Sequence, residues 1–274
     1  MIDPFPSRAA ESPQSIRTFR PILRRLVGDR RVLTATLPEA LLGGALLAAG
    51  TLLAAWILSV APWILPLGVA RLLAALAFAG CLLLGMACGG RFFGLSSARG
   101  ETSLGELAAV LVGNAMGALV VAVSLALALR LALFEGFAAA LLRLAEVQAD
   151  LTVEAVLLRA TIAGALVFGA REYFCNGERP VDRIAGSLFA TIPLVLVGFS
   201  LLASHLLVVP FALFAQASAT PDFLLLYGLE GAHLASLQTP WILIAAGNLL
   251  GSALAAGLFA VAADSTAPRP STDP

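Results

Sequence analysis

The sequence predicts an all-α integral membrane protein built from two related halves, and three observations lead to this class. The 274 residues are 59% apolar and only 12% charged, and the mean hydropathy is +0.94, which is more apolar surface than a soluble domain of this size can bury. Six apolar segments each reach the roughly 20 residues needed to cross a bilayer. The motif Gly-Asn-x-x-Gly occurs twice, at Gly113–Gly117 and Gly247–Gly251.

Residues 1–33 are predicted to form a basic cytoplasmic segment. Residues 1–13 are polar and contain proline, whereas between Ser15 and Arg31 apolar residues recur at helical spacing among arginines. A basic segment with an apolar stripe beside a membrane span is typical of an interfacial amphipathic helix on an anionic leaflet. A solvated basic tail is the alternative.

The transmembrane domain is predicted over residues 34–264, followed by a cytoplasmic tail over residues 265–274. Its six spans are expected at residues 38–60, 66–90, 104–129, 152–171, 184–212 and 238–262. The connection from Phe134 to Asp150 also has helical apolar spacing, which predicts a surface helix on the outer face. Seven arginines precede the first span, and because arginine concentrates in cytoplasmic loops, both termini are predicted to be cytoplasmic.

The two Gly-Asn-x-x-Gly motifs predict close helix packing and an inverted repeat. Small residues four apart allow helix backbones to approach, and an amide in hydrocarbon needs an internal partner. Each motif lies in the third apolar segment of its half, and since three is odd, the second half must be inverted in the bilayer, as in channels and transporters. The residues expected to pack or support helices are Gly113, Asn114, Gly117, Gly247, Asn248 and Gly251.

The second and fifth helices are predicted to be broken, because irregular stretches of small residues precede both motifs. The breaks are expected near Gly89–Gly94 and Ala203–Pro210. Asn114 and Asn248 would then bond to carbonyl groups that the breaks release, although each could still line a path.

The order and spacing of these motifs resemble the formate/nitrite transporter family, from the first span to about Asp264. Besides the paired Gly-Asn-x-x-Gly motifs, the similar features are Phe92 and Gly94, Gly198-Phe199 followed by Pro210, and the run from Ala145-Glu146-Val147 to Leu158-Arg159. The resemblance implies an aquaporin-like fold and a homopentamer with one pore in each protomer. It also implies small monovalent anions as permeants and, for this chain, the inner (plasma) membrane of a bacterium.

The sequence departs from the family where the resemblance places the polar groups of the pore. The family's pore histidine falls on Leu201, its threonine on Phe93, its asparagine near Gly164 and its outer lysine on Gln148. An apolar constriction is therefore expected in place of groups that supply a proton. The residues predicted to line or flank it are Arg91, Phe92, Phe93, Phe199, Leu201 and His205.

Three ionisable residues have two interpretations each. His205 follows Leu201 by one helical turn, so it either reaches the pore or is a packing residue bonded to a carbonyl group. Arg91 either attracts anions to the cytoplasmic vestibule or extends to the headgroups. Arg159 would lie about 12 Å along a helix starting near Leu151. That depth predicts a structural ion pair with Glu154 or Glu146, with a role in permeation as the alternative.

The sequence thus predicts a channel or transporter for small monovalent anions or their protonated acids, with altered selectivity. The alternatives are a channel for neutral solutes such as undissociated acids, hydrogen sulfide or ammonia, and a non-conducting pentameric scaffold. The expected partners are the lipid bilayer, the permeant and four further copies of the chain, with no nucleic acid. No cofactor or metal is expected and an enzyme is not, because the sequence has no metal-ligand cluster and no nucleophile–histidine–acid set.

Overall fold

The computed structural model describes residues 30–96, 103–130, 135–198, 201–218, 225 and 241–266. Within these ranges the elements are helices α1 (Arg30–Val60), α2 (Leu67–Ala87), α3 (Phe93–Ser96), α4 (Leu104–Arg130), α5 (Glu135–Ala149), α6 (Val153–Asn176), α7 (Pro180–Val197), α8 (Leu202–Ser218) and α9 (Trp241–Thr266). A 3₁₀ turn over Ala61–Trp63 joins α1 to the segment before α2. The predicted interfacial helix and C-terminal tail lie outside the described residues, except that α1 already begins at Arg30 and α9 ends at Thr266.

Five of the described helices are long and apolar enough to cross a membrane. They extend over Thr34–Trp63, Leu67–Ala87, Leu104–Ala128, Val153–Asn176 and Trp241–Ala262. These helices coincide with the predicted first, second, third, fourth and sixth spans. The predicted fifth span, residues 184–212, is instead divided between α7 and α8.

A Schellman motif ends α2 at the position where the sequence predicted an irregular stretch. Gly89 has a φ of 77°, a conformation that side chains with a β-carbon rarely adopt. The Gly90 amide donates to the Gly85 carbonyl at 2.7 Å, and the Cys88 amide donates to the Leu84 carbonyl at 2.9 Å. These bonds satisfy carbonyl groups at the helix end, and helical backbone resumes at Phe93.

The interruption between α7 and α8 lies earlier than the sequence predicted. Gly198 has a φ of 107° and ends α7, whereas α8 continues from Leu202 through Pro210 to Ser218. The prediction of a break within residues 203–210 was therefore wrong. Proline removes one helix hydrogen bond, but all residues from 201 to 209 are buried, so packing on every side holds α8 together despite that loss.

Helix α5 forms where a helix was predicted, but it is not a surface helix. Its residues 138–142 are all buried, and it packs against α1 and α8. Val147, one of the apolar residues whose spacing predicted the helix, is 59% exposed. Small alanines at positions 138–140 let α5 approach its neighbours on several sides.

Two helix pairs, α1 with α4 and α6 with α9, form the most extensive contacts of the fold. Helix α8 packs against α1, α4 and α5. One contact between α1 and α8 is polar, because the hydroxyl groups of Thr51 and Ser204 lie 2.8 Å apart and both residues are fully buried. The two helix pairs and the segments that enter between them position the candidate site.

Candidate functional site

The side-chain amide of Asn114 on α4 holds the segment between α2 and α3 against α1. Its Nδ2 donates to the carbonyl oxygens of Ala40 at 2.6 Å and Arg91 at 2.8 Å. Its Oδ1 accepts from the backbone amide of Phe93 at 3.0 Å. Because an amide nitrogen has two hydrogens, both donors of Asn114 are used by the backbone.

Asn248 on α9 makes corresponding bonds in the second half of the chain. Its Nδ2 donates to the Ala160 carbonyl oxygen at 2.9 Å, and its Oδ1 accepts from the Leu202 amide at 3.0 Å. Ala160 therefore corresponds to Ala40, and Leu202 at the start of α8 corresponds to Phe93 at the start of α3. The two asparagines each join three separate chain segments through buried hydrogen bonds.

The first glycine of each motif lies where the helix pair is in closest contact. A β-carbon added to Gly113 would lie 2.5 Å from the β-carbon of Ala40, and one added to Gly247 would lie 2.6 Å from that of Ala160. Real β-carbons do not approach so closely. These glycines therefore set the spacing of α1 from α4 and of α6 from α9.

The second glycine of each motif is more tightly enclosed. A β-carbon on Gly117 would overlap the carbonyl oxygen of Leu41, and one on Gly251 would overlap that of Thr161. The obstructing atoms belong to the backbone and cannot rotate away. Both motifs thus require glycine for the same geometric reason.

A small cavity of about 30 Å³ lies between the two asparagines. Its volume is comparable to the volume that one molecule occupies in liquid water. The residues that line it are Leu47, Phe92, Phe93, Gly94, Asn114, Gly164, Val167, Leu201, Leu202, Ala203, Asn248 and Ser252.

The cavity is lined by matched residues from the two halves. Leu47 lies seven residues after Ala40, and Val167 lies seven after Ala160. The other matched positions, counted from Phe93 and Leu202 or from the asparagines, are Phe92 with Leu201, Gly94 with Ala203, and Asn114 with Asn248.

The polar side chains of the lining are bonded to the backbone. Asn114 and Asn248 bind the segments described above, and the Ser252 hydroxyl donates to the Gly164 carbonyl at 3.1 Å. The remaining lining side chains are aliphatic or aromatic, apart from the glycines. The cavity wall is therefore mainly apolar.

Arg91 does not line the cavity and is engaged by two carboxylates. Its Nε lies 2.7 Å from Glu39 Oε2, and its Nη1 lies 2.5 Å from Glu106 Oε1 and 3.2 Å from the Thr36 hydroxyl. Its backbone amide also donates to the Glu39 carbonyl at 3.0 Å. Glu39, Arg91 and Glu106 form what we call the acidic triad, in which two carboxylates surround one guanidinium.

His205 is buried in α8 and is not among the residues that line the cavity. Its Nδ1 lies 3.3 Å from the Leu201 carbonyl oxygen, within hydrogen-bond distance when Nδ1 carries the proton. Of the other predicted constriction residues, Phe92, Phe93 and Leu201 line the cavity. Phe199 lies outside the described residues.

Arg159 lies against the segment that follows α7. A β-carbon on Gly198 would come within 3.2 Å of Arg159 Nη1. None of the ion pairs that the described residues form with one another includes Arg159, so the predicted pair with Glu154 or Glu146 is absent from this part of the chain. Within the described residues, no group of three or more acidic, histidine or cysteine side chains could hold a metal ion.

The sequence profile of one protein family, described as formate/nitrite transporter, matches residues 30–262. The match covers most of the chain and all of the helices that build the cavity. The chain belongs to the formate/nitrite transporter family. No curated protein sequence matches this transporter-family chain.

Two solved structures share the fold of this family member. A pentameric formate channel with formate bound has a TM-score of 0.76 and 16% sequence identity, and the match covers 86% of this chain and 99% of that chain. An ion channel of the formate/nitrite transporter (FNT) family has a TM-score of 0.60 and 15% sequence identity, and the match covers 85% of this chain and 97% of that chain. This family member is therefore a transmembrane protein, and the matched proteins are transporters or channels rather than enzymes.

Sequence reasoning missed several residues of the site. Leu47, Val167 and Ser252 line the cavity without any pattern that separates them from other small or apolar residues of the spans. Glu39 and Glu106 carried a clearer signal, because an acidic residue near a membrane span needs a partner. That rule would have marked both carboxylates as groups that need a partner, but it does not identify Arg91 as the cation they share.

Proposed function

We propose that this member of the formate/nitrite transporter family is a channel that passes small weak acids in their protonated, neutral form. The observation that carries the proposal is the cavity between Asn114 and Asn248, which is walled mainly by apolar groups. Both amide hydrogens of Asn114 are bonded to the backbone. A permeating anion would find no free donor on that residue.

The energetic argument compares an ion with its conjugate acid. Burying one ion without a partner costs roughly several kcal/mol even after the protein relaxes. Channels that pass ions replace the lost hydration with fixed polar groups. A neutral acid loses much less on leaving water. Phe93 and Leu201, where the resemblance places the family's threonine and histidine, offer no such group, which supports altered selectivity.

The arrangement in the membrane is part of the same proposal. The matched bonds of Asn114 and Asn248 support two three-span repeats, in which α1, α2–α3 and α4 correspond to α6, α7–α8 and α9. With an odd number of spans in each half, the second repeat is inverted. We place both termini in the cytoplasm and the protein in a bacterial inner membrane, because arginines concentrate on the side of the N-terminus.

A homopentamer with one pore in each protomer is the proposed assembly. The support is the solved pentameric formate channel, which shares this fold. Several large apolar side chains on α2 and α9 are exposed in the single chain, as expected for helices that face lipid or another protomer. Native mass spectrometry in mild detergent tests the assembly, and a monomer or dimer as the largest species would contradict it.

Flux measurements in liposomes test the permeant. Formate and nitrite influx should rise by up to about tenfold for each unit that the pH falls, as long as the pH stays above the pKa of the acid. Protein-free liposomes supply the control for direct diffusion of the acid. Rapid flux that does not change with pH would contradict permeation as the neutral acid.

The apolar wall also suits neutral solutes that are not acids, which makes a channel for hydrogen sulfide or ammonia the second candidate. Both are small, and the cavity volume of about 30 Å³ accommodates a molecule of roughly the size of water. Ammonia separates the two candidates, because its neutral form increases as the pH rises. Ammonia flux that exceeds formate flux at every pH would favour the second candidate.

A further inference from the structure

Two membrane-crossing helices each expose one charged residue that forms no ion pair within the described part of the chain. The residue is Arg71 in α2 and Glu154 in α6, and neither belongs to any of the ion pairs between described residues. A charge on a membrane helix is costly unless it meets water, a headgroup or an opposite charge. Both side chains therefore have room for a partner from outside the protomer.

Arg71 belongs to an apolar patch at the start of α2. Trp63 and Ile64, in the connection from α1, are 85% and 78% exposed. Leu67 is also exposed, and it lies one helical turn before Arg71 on the same side of α2. We call Trp63, Ile64, Leu67 and Arg71 the α2 patch. Large exposed apolar side chains grouped in this way mark a contact with another protein or with the membrane.

Glu154 belongs to a second apolar patch, at the start of α6. Leu157 and Leu158 follow it at spacings of three and four residues, so the three side chains share one face of the helix. Both leucines are exposed. We call Glu154, Leu157 and Leu158 the α6 patch. The two patches are thus alike in being mainly apolar, and each has one charge of opposite sign to the other.

Arg71 lies near the outer edge of the hydrocarbon core. Leu47 of α1 lines the cavity, and three residues further out a β-carbon on Gly50 would contact Phe78 of α2. Arg71 lies another seven residues further out along α2. By the rise of an α-helix, Arg71 is roughly 15 Å from the level of the cavity, which is about half the thickness of a hydrocarbon core.

Glu154 lies at a similar height on the same side of the membrane. Val167 of α6 lines the cavity, and Glu154 precedes it by 13 residues, or roughly 20 Å. Helices α2 and α6 both begin on the outer side in the proposed topology. The heights of the two charges thus differ by roughly one helical turn, which a long arginine side chain can span.

The position of α7 favours a contact between protomers. Helix α7 packs against both α2 and α6, so the two patches belong to helices on either side of it. A contact between the α2 patch of one protomer and the α6 patch of the next is heterologous, and such contacts close into rings. A lipid phosphate would suit Arg71 but not Glu154, whereas an adjacent protomer supplies an opposite charge to both.

We propose that Arg71 of one protomer pairs with Glu154 of the adjacent protomer, and that the apolar residues of the α2 and α6 patches pack around this ion pair. The partner of each patch is therefore a second copy of this chain. Each protomer uses its α2 patch toward one neighbour and its α6 patch toward the other. The inference rests on the proposed homopentamer, in which the contact is repeated at every interface of the ring.

Cross-linking between protomers tests the contact directly. The background variant has alanine in place of Cys81, Cys88 and Cys175. In that background, Arg71→Cys/Glu154→Cys should give a ladder of products up to five chains with a bifunctional maleimide. A reagent with a spacer is needed, because an arginine–glutamate pair holds two backbones further apart than a disulfide allows. Each single-cysteine variant should give no product larger than a dimer, because one cysteine links at most two chains.

Arg71→Cys/Leu127→Cys in the same background is the matched control. Leu127 is 57% exposed and lies near the outer end of α4, which has no residue in either patch. The control has the same number of cysteines and the same cysteine at position 71. It should give no product larger than a dimer.

Charge reversal tests the ion pair separately from proximity. Arg71→Glu and Glu154→Arg each place like charges at the contact, so each should lower the temperature at which the pentamer dissociates in mild detergent. Arg71→Glu/Glu154→Arg restores opposite charges and should recover most of that loss. The recovery should become smaller at high salt, because exposed ion pairs are screened.

Two results with a pentameric wild type would overturn the contact. They are a double-cysteine variant that gives no ladder, and charge reversals whose losses simply add in the double variant. If added phosphatidylglycerol also raises the dissociation temperature only while Arg71 is present, the partner of this arginine is a lipid headgroup. A wild-type protein that is a monomer or dimer by native mass spectrometry would instead refute the proposed pentamer itself.

Discussion

Glu39 and Arg159 are equivalent in backbone position and opposite in charge. Each precedes an alanine whose carbonyl oxygen accepts the amide of the asparagine in the same half. The backbone geometry around these alanines is matched between the halves, down to the carbonyl groups that would obstruct a larger residue at Gly117 and Gly251. The hydrogen-bonded frame is thus repeated, whereas the charges attached to it are not.

The acidic triad should contribute to stability through Arg91. In Arg91→Gln, Glu39 and Glu106 lose their shared cation, and the segment before Phe93 loses its side-chain contacts with α1 and α4. The side chains of Arg91, Glu39 and Glu106 are 39%, 45% and 17% exposed, so solvent screening limits the expected loss to about 1–2 kcal/mol. Thermal unfolding of the purified protein in detergent measures it.

The double variant Arg91→Gln/Glu106→Gln is the companion to that measurement. It removes the more buried carboxylate together with the cation, so it should recover part of the lost stability. A single variant as stable as the wild type would show that the triad does not hold the segment.

The glycines of the motifs should differ in their tolerance of one added methyl group. Gly251→Ala places a β-carbon against the Thr161 carbonyl oxygen, whereas a β-carbon on Gly257 of the same helix meets nothing within 4 Å. Gly251→Ala should therefore separate α6 from α9 and cost about 1–3 kcal/mol. Gly257→Ala should be neutral or slightly stabilising.

Size-exclusion chromatography and thermal unfolding of both glycine variants provide the measurement. The two variants share a helix and a chemical change, so only the packing differs. Equal behaviour of Gly251→Ala and Gly257→Ala would contradict the argument from close approach.

The Asn114 amide should be more important for stability than an ordinary hydrogen-bonding side chain. Asn114→Leu preserves the approximate size but leaves the carbonyl groups of Ala40 and Arg91 and the Phe93 amide without this partner. Each unsatisfied buried group costs about 1–3 kcal/mol, so the loss should exceed about 3 kcal/mol. Ser59→Ala, which removes one exposed bond to the Trp56 carbonyl, is the control and should have little effect on the unfolding temperature.

Asn248→Leu extends that test to the second half. The matched bonds to Ala160 and Leu202 predict a loss of similar size. A large effect at Asn114 combined with a negligible one at Asn248 would contradict the equivalence of the two frames.

The sequence alone predicted the membrane class, five of the spans and the family, because these depend on apolar length and on the spacing of glycine and asparagine. The family and its fold are confirmed by the profile match and by the solved structures. The end of α2 was also located correctly, since Gly89 and Gly90 mark a helix terminus by local chemistry.

The sequence did not locate the interruption before α8, because Pro210 is a stronger local signal than Gly198. In the structure the glycine interrupts the helix and the proline does not. Tertiary packing keeps α8 continuous at Pro210, whereas α7 ends at Gly198, which has a positive φ. The sequence also could not show which residues contact Arg91 and Arg159, because those contacts depend on which helices become neighbours. The expected depth of Arg159 in the membrane suggested an ion pair with Glu154 or Glu146, but the guanidinium lies beside Gly198 instead.

His205 supplies the last prediction, which concerns how protons reach the permeant. Its imidazole is 2% exposed and bonded to the Leu201 carbonyl within α8, and it does not line the cavity. A proton relay must contact either the permeant or water, and neither contact is open to this ring in the described structure. His205→Ala should therefore lower stability by about 2–4 kcal/mol through the space it leaves, and should preserve the rise of formate flux with falling pH.

Leu207→Ala separates packing from proton transfer in that experiment. Leu207 is fully buried two residues further along the same helix, so its truncation leaves a comparable space without removing a titratable group. If both variants change the maximal flux to a similar extent and keep the pH profile, the effect of His205 is one of packing. If only His205→Ala flattens the pH profile, the histidine transfers protons to the permeant, and the protonation step would then take place inside the protein rather than in the water at the pore entrance.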